Sequence, residues 1–163
     1  MGLNYVRIDD RLIHGQIVTA WCNTLGIGEI IAIDDNLAQN PMLQSIMIMG
    51  VPKQYAPSVV TMEKAKQLLC EESKKNRLII TRFARNIAEL KDFYSSFEHI
   101  NLGNCSKQDK TAYTLPSGAG RNLSLTEEDM QALRDAVASN CEVICQLLPT
   151  DKMKTWSQLT SGI

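Results

Sequence analysis

The sequence predicts an α/β fold with a mostly parallel central sheet and helices on both faces. Short apolar segments alternate along the chain with amphipathic segments of about a dozen residues, the pattern of β–α–β units. Within residues 77–81, the apolar side chains Leu78, Ile79 and Ile80 follow one another, as expected of a strand that is buried on both faces. The length of 163 residues fits one domain, so we expect a single domain over residues 1–163.

In the first half of the chain, strand and helix patterns follow each other in order. Residues 3–8 alternate crudely between apolar and polar side chains and predict a strand. From Gly15 onward, apolar residues recur at helical spacing and predict a helix, namely Ile17, Val18, Trp21, Cys22 and Leu25. The next predicted elements are a strand at residues 30–33, a helix at 37–49 that Pro41 forces to begin near it, a strand at 59–60 and a helix capped by Thr61.

The second half continues this alternation, apart from one long stretch without a periodic pattern. Its predicted elements are the strand at residues 77–81, a helix capped by Asn86, a strand at 99–102, a helix capped by Thr126, a strand at 142–148 and a closing helix at 151–159. Residues 104–120 predict an irregular loop, and loops of this length in a compact domain are usually functional or disordered.

Composition argues against several classes of function. The net charge is −1 and no block of Lys or Arg is long, so we expect no nucleic-acid partner. No apolar run approaches the roughly 20 residues that span a bilayer, and no signal peptide is evident, so we expect a cytoplasmic protein. The five cysteines lack paired metal-ligand spacing, and only two histidines are present, so we expect no metal and no cofactor.

Residues 7–16, Arg-Ile-Asp-Asp-Arg-Leu-Ile-His-Gly-Gln, hold the strongest candidate for function. They place His14 in the turn between the first predicted strand and the first helix, at the edge where open α/β sheets bind ligands. His14 is therefore either a catalytic residue, an ordinary polar loop residue or a core histidine with its hydrogen bonds satisfied. Arg7 is likewise either close to the site or a strand residue without a role.

The same turn could bind a phosphate. Arg11 lies three residues before His14 and could grip two phosphate oxygens with its guanidinium. The start of a helix offers free backbone amides, and we expect Leu12, Ile13, Gly15 and Gln16 to supply them, with Gly15 allowing a close approach. Arg82, Phe83 and Arg85 follow a central strand and are expected at the same edge.

The run at residues 7–16 resembles the signature of the enzyme IIB components of the mannose/fructose/sorbose family of bacterial sugar phosphotransferase systems. The resemblance covers essentially the whole chain in the family's order, through residues 29–35, 100–104, 123–129 and 146–151. One departure lies between Asn104 and Leu123, where the family usually has Gly-Met and a basic loop. This chain has Cys-Ser-Lys-Gln-Asp-Lys there and a longer Pro-Ser-Gly-Ala-Gly insert.

The resemblance implies a protein-phosphohistidine–sugar phosphotransferase. His14 would carry the phosphoryl group on Nδ1, taking it from a phosphorylated IIA partner and giving it to a sugar during uptake by membrane IIC and IID subunits. Association with the membrane would be through these subunits. Arg11 would stabilise the transferring group, and Asp10 would orient either the loop or the imidazole, although it could equally be a simple turn cap.

Three points stay open here: the role of the chain, the residue that carries the phosphoryl group, and the identity of the sugar together with the oligomeric state. The chain could be a regulatory phosphoprotein or an anion-binding module of the same fold without a transport role, although it has no glycine-rich nucleotide motif. Other IIB families carry the phosphoryl group on cysteine, and Cys105 is the candidate here, although it lacks their apolar strand leading into the cysteine. The sugar is not readable from the sequence, and a homo-oligomer is neither required nor excluded.

Overall fold

The structure is a computed structural model that describes residues 1–118 and 120–163, and the side chains of Gln16 and Ile17 lie outside this description. The strands are β1 (Asn4–Ile8), β2 (Ile27–Ile33), β3 (Pro57–Val60), β4 (Asn76–Thr81), β5 (Phe97–Leu102), β6 (Thr111–Pro116), β7 (Asn122–Thr126), β8 (Val143–Cys145) and β9 (Lys154–Thr155). The α-helices are α1 (Gly15–Leu25), α2 (Pro41–Ile48), α3 (Met62–Leu69), α4 (Glu127–Ala138) and α5 (Trp156–Leu159). Three 3₁₀ segments are Leu37–Gln39, Lys53–Tyr55 and Ala84–Ser96.

Seven of these strands form one sheet in the order β3-β2-β4-β1-β5-β8-β9. All neighbours up to β8 are parallel, and β9 at the edge is antiparallel to β8. The predicted α/β class with a mostly parallel sheet is confirmed. Within the described ranges, none of the helices has the length and hydropathy that crossing a bilayer requires.

Each face of the sheet has its own apolar core. In β2, Ile30 and Ala32 belong to the core shared with α1, whereas Ile31 and Ile33 belong to the core shared with α3, α4 and the segment Ala84–Ser96. Successive side chains of a strand point to opposite faces, so a strand covered on both faces must be apolar at every position. This explains the unbroken apolar runs in β2 and β4.

Two predicted helix starts are confirmed. The side chain of Thr61 accepts a hydrogen bond from the amide of Lys64 at the start of α3. Thr126 caps α4 and forms a capping box with Asp129, each side chain accepting from the other residue's amide. These bonds satisfy amides that the first helical turn leaves without intrahelical acceptors.

The predicted helix at residues 37–49 is divided into a 3₁₀ segment and α2. The side chain of Asn40 accepts from the amide of Leu43, and Pro41 occupies the first turn of α2. Proline suits this position because the first turn needs no donor from it. The prediction that Pro41 sets the helix start is confirmed, whereas the single helix from residue 37 is wrong.

The predicted helix after Asn86 is instead the 3₁₀ segment Ala84–Ser96, which begins two residues before Asn86. Three of its buried positions, Ala84, Ile87 and Leu90, are three residues apart, and the fourth, Tyr94, follows after four residues. The first three positions match the three residues per turn of a 3₁₀ helix. Asn86 therefore does not cap the segment.

The stretch of residues 104–120 is not irregular throughout, because it contains β6, which pairs antiparallel with β7. The hairpin places Leu115 and Leu123 in the core shared with α4. In β6, the less exposed Thr111, Tyr113 and Leu115 alternate with exposed neighbours. This period of two was a readable strand signal, hidden by the polar composition around it.

The C-terminal predictions are too long. The strand predicted at residues 142–148 ends at Cys145, and the helix predicted at 151–159 is only Trp156–Leu159. Between them, the side-chain amide of Gln146 donates to the carbonyls of Pro149 and Asp151, which closes a tight loop. These local bonds replace the ladder and helix bonds that a longer strand and helix would need.

Candidate active site

His14 lies at the end of the active-site loop, residues 9–14, which connects β1 to α1. Since β1 lies between β4 and β5, this loop leaves the carboxyl edge near the middle of the sheet, where open parallel sheets bind ligands. His14 is the N-cap residue of α1, but its side chain makes no capping bond. The imidazole is 15 % exposed, so a reactant can reach the ring.

Asp9 holds the imidazole from the buried side. Its Oδ2 lies 2.8 Å from Nε2 of His14. The same oxygen accepts hydrogen bonds from Nε and Nη2 of Arg7, at 3.3 and 3.2 Å. Arg7 and Asp9 are both buried, so these contacts replace water around their charges. The three side chains form a row, the Arg7–Asp9–His14 row, that runs from the protein interior to the surface.

The electrostatics of this row determine which ring nitrogen is free. Burial raises the pKa of Asp9, but the hydrogen bond with His14 and the charge of Arg7 outweigh it, so the pKa lies below the ordinary value. Burial lowers the pKa of Arg7, and Asp9 opposes that change. An ionised carboxylate only accepts hydrogen bonds, so Nε2 of neutral His14 carries the proton and Nδ1 keeps a free lone pair.

Asp10 is adjacent in sequence, but its carboxylate contacts a different loop. Nδ2 of Asn104 donates to Oδ1 of Asp10 at 2.6 Å, and the amide of Ser106 donates to Oδ2 at 2.7 Å. The carboxylate on the imidazole is therefore Asp9 and not Asp10, which corrects that alternative of the prediction. Asp10 instead fixes the active-site loop to the loop that follows β5.

Arg82 anchors the backbone of the active-site loop from the other neighbouring strand. Its Nη1 donates to the carbonyl of Asp10 at 2.8 Å, and its Nε pairs with Oδ2 of Asp34 at 2.6 Å. Arg85 does not join this contact, because it pairs with Asp129 at 3.3 Å. The loop is thus held by the loops that follow both β4 and β5.

Leu12 has a left-handed backbone, with φ of 59°, and a fully buried side chain. Such a conformation costs about 1–3 kcal/mol for a residue other than glycine, and burial of the leucine in the core offsets that strain. The amide of Leu12 donates to the carbonyl of Asp9 at 2.9 Å. Contrary to the prediction, this amide is already occupied and is not available to a phosphate.

The other amides of the prediction are better placed to bind a phosphate. Gly15 and Gln16 form the first turn of α1, where amides lack intrahelical acceptors. The amide of Ile13 lies outside the helices and strands, and it donates to no backbone acceptor in the described ranges. The side of Gly15 where a Cβ would stand is open, with no atom within 4 Å, so protein packing does not require glycine there. The site therefore has room for a ligand above Gly15.

Arg11 is exposed in the same loop as His14, and its amide donates to Oδ1 of Asp9 at 3.0 Å. Within residues 1–118 and 120–163, its guanidinium forms no ion pair or hydrogen bond, unlike those of Arg7 and Arg82. The guanidinium is consequently available to an anion that approaches His14.

Cys105 is poorly placed to act as a nucleophile. Cys105 is buried, and burial together with nearby carboxylates raises the pKa of its thiol well above the ordinary value. A thiol attacks as the thiolate, so this environment suppresses its reactivity. In the described part of the chain, no group of three or more His, Cys, Asp or Glu residues could hold a metal ion.

Sequence reasoning missed the contacts of Asp9, Asn104 and Arg82. Asp9 had a readable signal, because Arg7 and Asp9 are two residues apart and a strand places such residues on the same side. Asn104 and Arg82 follow β5 and β4, but their contacts with Asp10 depend on strand order, which a single sequence does not reveal.

The chain is similar to known proteins over nearly its whole length. A family profile described as "PTS system sorbose subfamily IIB component" matches residues 3–162. The fructose-specific EIIB component of the PTS of Bacillus subtilis is 23% identical over 165 residues, with 100% of this chain and 98% of that protein covered. The mannose-specific EIIAB component of Escherichia coli is 24% identical over 166 residues, with 100% of this chain but 50% of that protein covered.

Solved structures show the same fold. The N-acetylgalactosamine-specific IIB component 1 of Escherichia coli superimposes with a TM-score of 0.80 at 22% identity, covering 95% of this chain and 99% of that one. The IIBSor domain of the sorbose permease from Klebsiella pneumoniae gives a TM-score of 0.78 at 19% identity, covering 95% and 93%. With the family profile matched over residues 3–162, the chain belongs to the sorbose-subfamily IIB components of the sugar phosphotransferase system, PTS.

Proposed function

We propose that this protein is a phosphohistidine carrier that takes a phosphoryl group from a IIA partner onto His14 and delivers it to a sugar. Delivery occurs during uptake through membrane IIC and IID subunits, which hold the protein at the cytoplasmic side of the membrane. The observation that carries the proposal is the contact of 2.8 Å between Asp9 Oδ2 and Nε2 of a ring that remains partly exposed.

Nδ1 is the attacking atom. Because Nε2 donates its proton to Asp9, the lone pair on Nδ1 is available to attack phosphorus. An N–P bond forms at Nδ1 of His14 while the N–P bond of the donor phosphohistidine breaks, and the donor ring keeps the bonding electron pair. The proton of His14 stays on Nε2, so the phosphorylated ring is positively charged and the Asp9 carboxylate stabilises it.

The second transfer reverses the roles. A sugar hydroxyl oxygen bonds to phosphorus, the N–P bond breaks, and Nδ1 recovers its lone pair with the proton still on Nε2. The hydroxyl proton leaves to solvent or to a base of the sugar-binding subunit.

The charge on the transferring group needs stabilisation in both steps. The exposed guanidinium of Arg11 can grip two of its oxygens, and the amides of Ile13, Gly15 and Gln16 can complete the cradle at the N-terminus of α1. Preorganised donors are effective because they need no rearrangement when charge develops. The tethers of Asp10 and Arg82 keep this loop in place.

The proposal is tested by incubating the protein with a phosphorylated IIA protein of the same family and mapping the phosphate by mass spectrometry. We expect one phosphate, stable in alkali and labile in acid, on His14. His14→Ala should accept none, and His99→Ala is the matched control because His99 packs on Tyr5 away from Asp9. Phosphate retained by His14→Ala, or found on Cys105, would refute the proposal.

The transport role needs a second readout. Adding membranes with IIC and IID and following sugar phosphate separates a carrier from a regulatory phosphoprotein. We expect His14 to lose its label as sugar phosphate forms. Labelled His14 that stays phosphorylated with each sugar supplied would favour the regulatory alternative.

A further inference from the structure

The sheet contains two buried arginines that are bonded in different ways. Arg7 is 1 % exposed and lies near the carboxyl end of β1, and Arg77 is 5 % exposed near the amino end of β4. Arg77 pairs in register with Asn4, at the other end of β1 from the active-site loop. The two residues therefore allow a comparison of a buried arginine close to the site with one remote from it.

Arg77 has the bonding of a structural arginine. Its Nε donates to Oδ1 of Asn4 at 2.9 Å, and its Nη1 and Nη2 donate to the carbonyls of Leu68 and Glu71 at 2.9 and 3.3 Å. Each of its three nitrogens thus has an acceptor, and all the acceptors are neutral. Burial of such a group is compatible with stability because its donors are satisfied.

Arg7 is bonded less completely. Its Nε and Nη2 donate to Asp9, and Nη2 also lies 3.5 Å from the carbonyl of Leu147. Its buried Nη1 has no hydrogen-bond partner among the described residues. A buried donor left unpaired lowers stability by about 1–3 kcal/mol, so packing and stability do not account for arginine at this position.

The surroundings of Arg7 are fitted to its guanidinium. A Cβ added to Gly103 would stand 2.5 Å from Nη2 and 2.7 Å from Cζ, so only glycine leaves room for the group. Gly103 also donates its amide to the carbonyl of Ile8, which fixes the loop against β1. The guanidinium is therefore held in one position, with Nε and Nη2 on the carboxylate of Asp9.

We propose that Arg7 is a positioning residue that holds the Asp9 carboxylate on Nε2 of His14 and thereby keeps Nδ1 as the free nitrogen. Asp9 alone would be a buried anion free to rotate or to take up a proton, and a protonated Asp9 could donate to the ring instead of accepting from it. The bonds from Arg7 remove both alternatives. The inference rests on the proposed function only where it concerns transfer rate.

The first test reads the tautomer of His14 and needs no partner protein. The shifts of ¹⁵N-labelled imidazole nitrogens distinguish a protonated nitrogen from a bare one, and they are measured where the ring is neutral. In the unaltered protein we expect the proton on Nε2. In Arg7→Met we expect a mixture of the two tautomers, and in Arg7→Lys, which keeps a cation, a smaller change. Arg77→Met is the matched control and should keep the proton on Nε2.

The second test measures phosphoryl uptake from a phosphorylated IIA protein, normalised to the folded fraction of each variant. We expect Arg7→Met to be slower on the order of tenfold or more, Arg7→Lys to recover part of the rate, and Arg77→Met to stay within about twofold. A Nε2–H tautomer retained in Arg7→Met overturns the proposal. An equal tautomer shift in Arg77→Met also overturns it.

If Arg7→Met does not fold, Gly103→Ala is the deciding variant, because its methyl group would stand 2.5 Å from Nη2 and force the guanidinium out of its position on Asp9. The same tautomer mixture is then expected, and an unchanged tautomer overturns the proposal. The two tests also separate failure of this inference from failure of the proposed function. If His14 is never phosphorylated, the proposed function fails, while the tautomer experiment still decides the role of Arg7.

Discussion

Asp10 and Asn104 bind each other through two hydrogen bonds. The amide of Asp10 donates to the carbonyl of Asn104 at 2.9 Å, and Nδ2 of Asn104 donates to Oδ1 of Asp10 at 2.6 Å. The two residues follow β1 and β5, which are neighbours in the sheet. This pair links the loop that carries His14 to the loop that follows β5.

Asp10→Ala should lower the free energy of unfolding by about 1–3 kcal/mol, because Asn104 and the amide of Ser106 lose a charged acceptor. Phosphoryl uptake should become slower but persist, since Asp9 still holds the ring. Urea unfolding of Asp10→Ala, Asn104→Ala and the double variant measures the coupling. Losses that add without any coupling energy would contradict the contact.

Asp9→Asn should be more damaging, with a loss of about 3–5 kcal/mol, because the buried charge of Arg7 loses its partner. The substitution should also change how the free energy of unfolding depends on pH. The folded pKa of Asp9 lies below its unfolded value of 3.8, so its stabilising contribution is present above that value and is lost as the pH falls through the folded pKa.

Urea unfolding over a series of acidic pH values checks this prediction. The difference in stability between the unaltered protein and Asp9→Asn should shrink as the pH falls below 3.8. Asp109→Asn, at an exposed aspartate, is the control and should follow the unaltered protein. A constant difference at all pH values would show that Asp9 acts without its charge.

Arg11→Lys should slow phosphoryl uptake by roughly ten- to a hundredfold, because lysine cannot grip two phosphate oxygens at once. Stability should change by less than about 0.5 kcal/mol, as expected for an exposed side chain. Single-turnover rates with phosphorylated IIA protein test this, with Arg134→Lys on α4 as the control. Equal rates for the two variants would remove Arg11 from the mechanism.

Alkylation of the folded protein should modify Cys70 first, because it is exposed and the other four cysteines are buried. Burial raises the pKa of Cys22 to about 12 and that of Cys145 to about 11, which further slows their reaction. Protein alkylated at Cys70 should accept phosphate at the unaltered rate. Loss of uptake after modification of Cys70 alone would point to a thiol in the reaction.

Local patterns predicted the parts of the fold that depend on neighbouring residues. The caps at Thr61 and Thr126 and the turn that carries His14 could all be read from short runs of sequence. The segment Ala84–Ser96 shows the limit, because a spacing of three residues was present but helical spacing of either kind fits a few apolar positions. The hairpin of β6 and β7 was missed since its exposed side is polar.

The candidate active site depends on contacts between residues that lie far apart along the chain. The choice between Asp9 and Asp10 follows from the direction that each side chain takes after β1 and from the position of β5, whose following loop contains Asn104. Arg82 reaches the carbonyl of Asp10 only because β4 lies next to β1, although three α-helices, two strands and two 3₁₀ segments separate the two strands along the chain. Strand order of this kind is a property of the whole sheet.

The amide bonds of the active-site loop divide it into a rigid part and an open part. The amides of Asp9 to Leu12 donate to the carbonyls of Thr81, Asn104 and Asp9 and to Oδ1 of Asp9. Deuterium should therefore enter those four positions slowly and enter quickly at Ile13 to Gln16, before the first intrahelical bond of α1, from the amide of Val18 to the carbonyl of His14. The boundary between Leu12 and Ile13 therefore separates amides that hold the loop in place from amides that remain free to bind an anion.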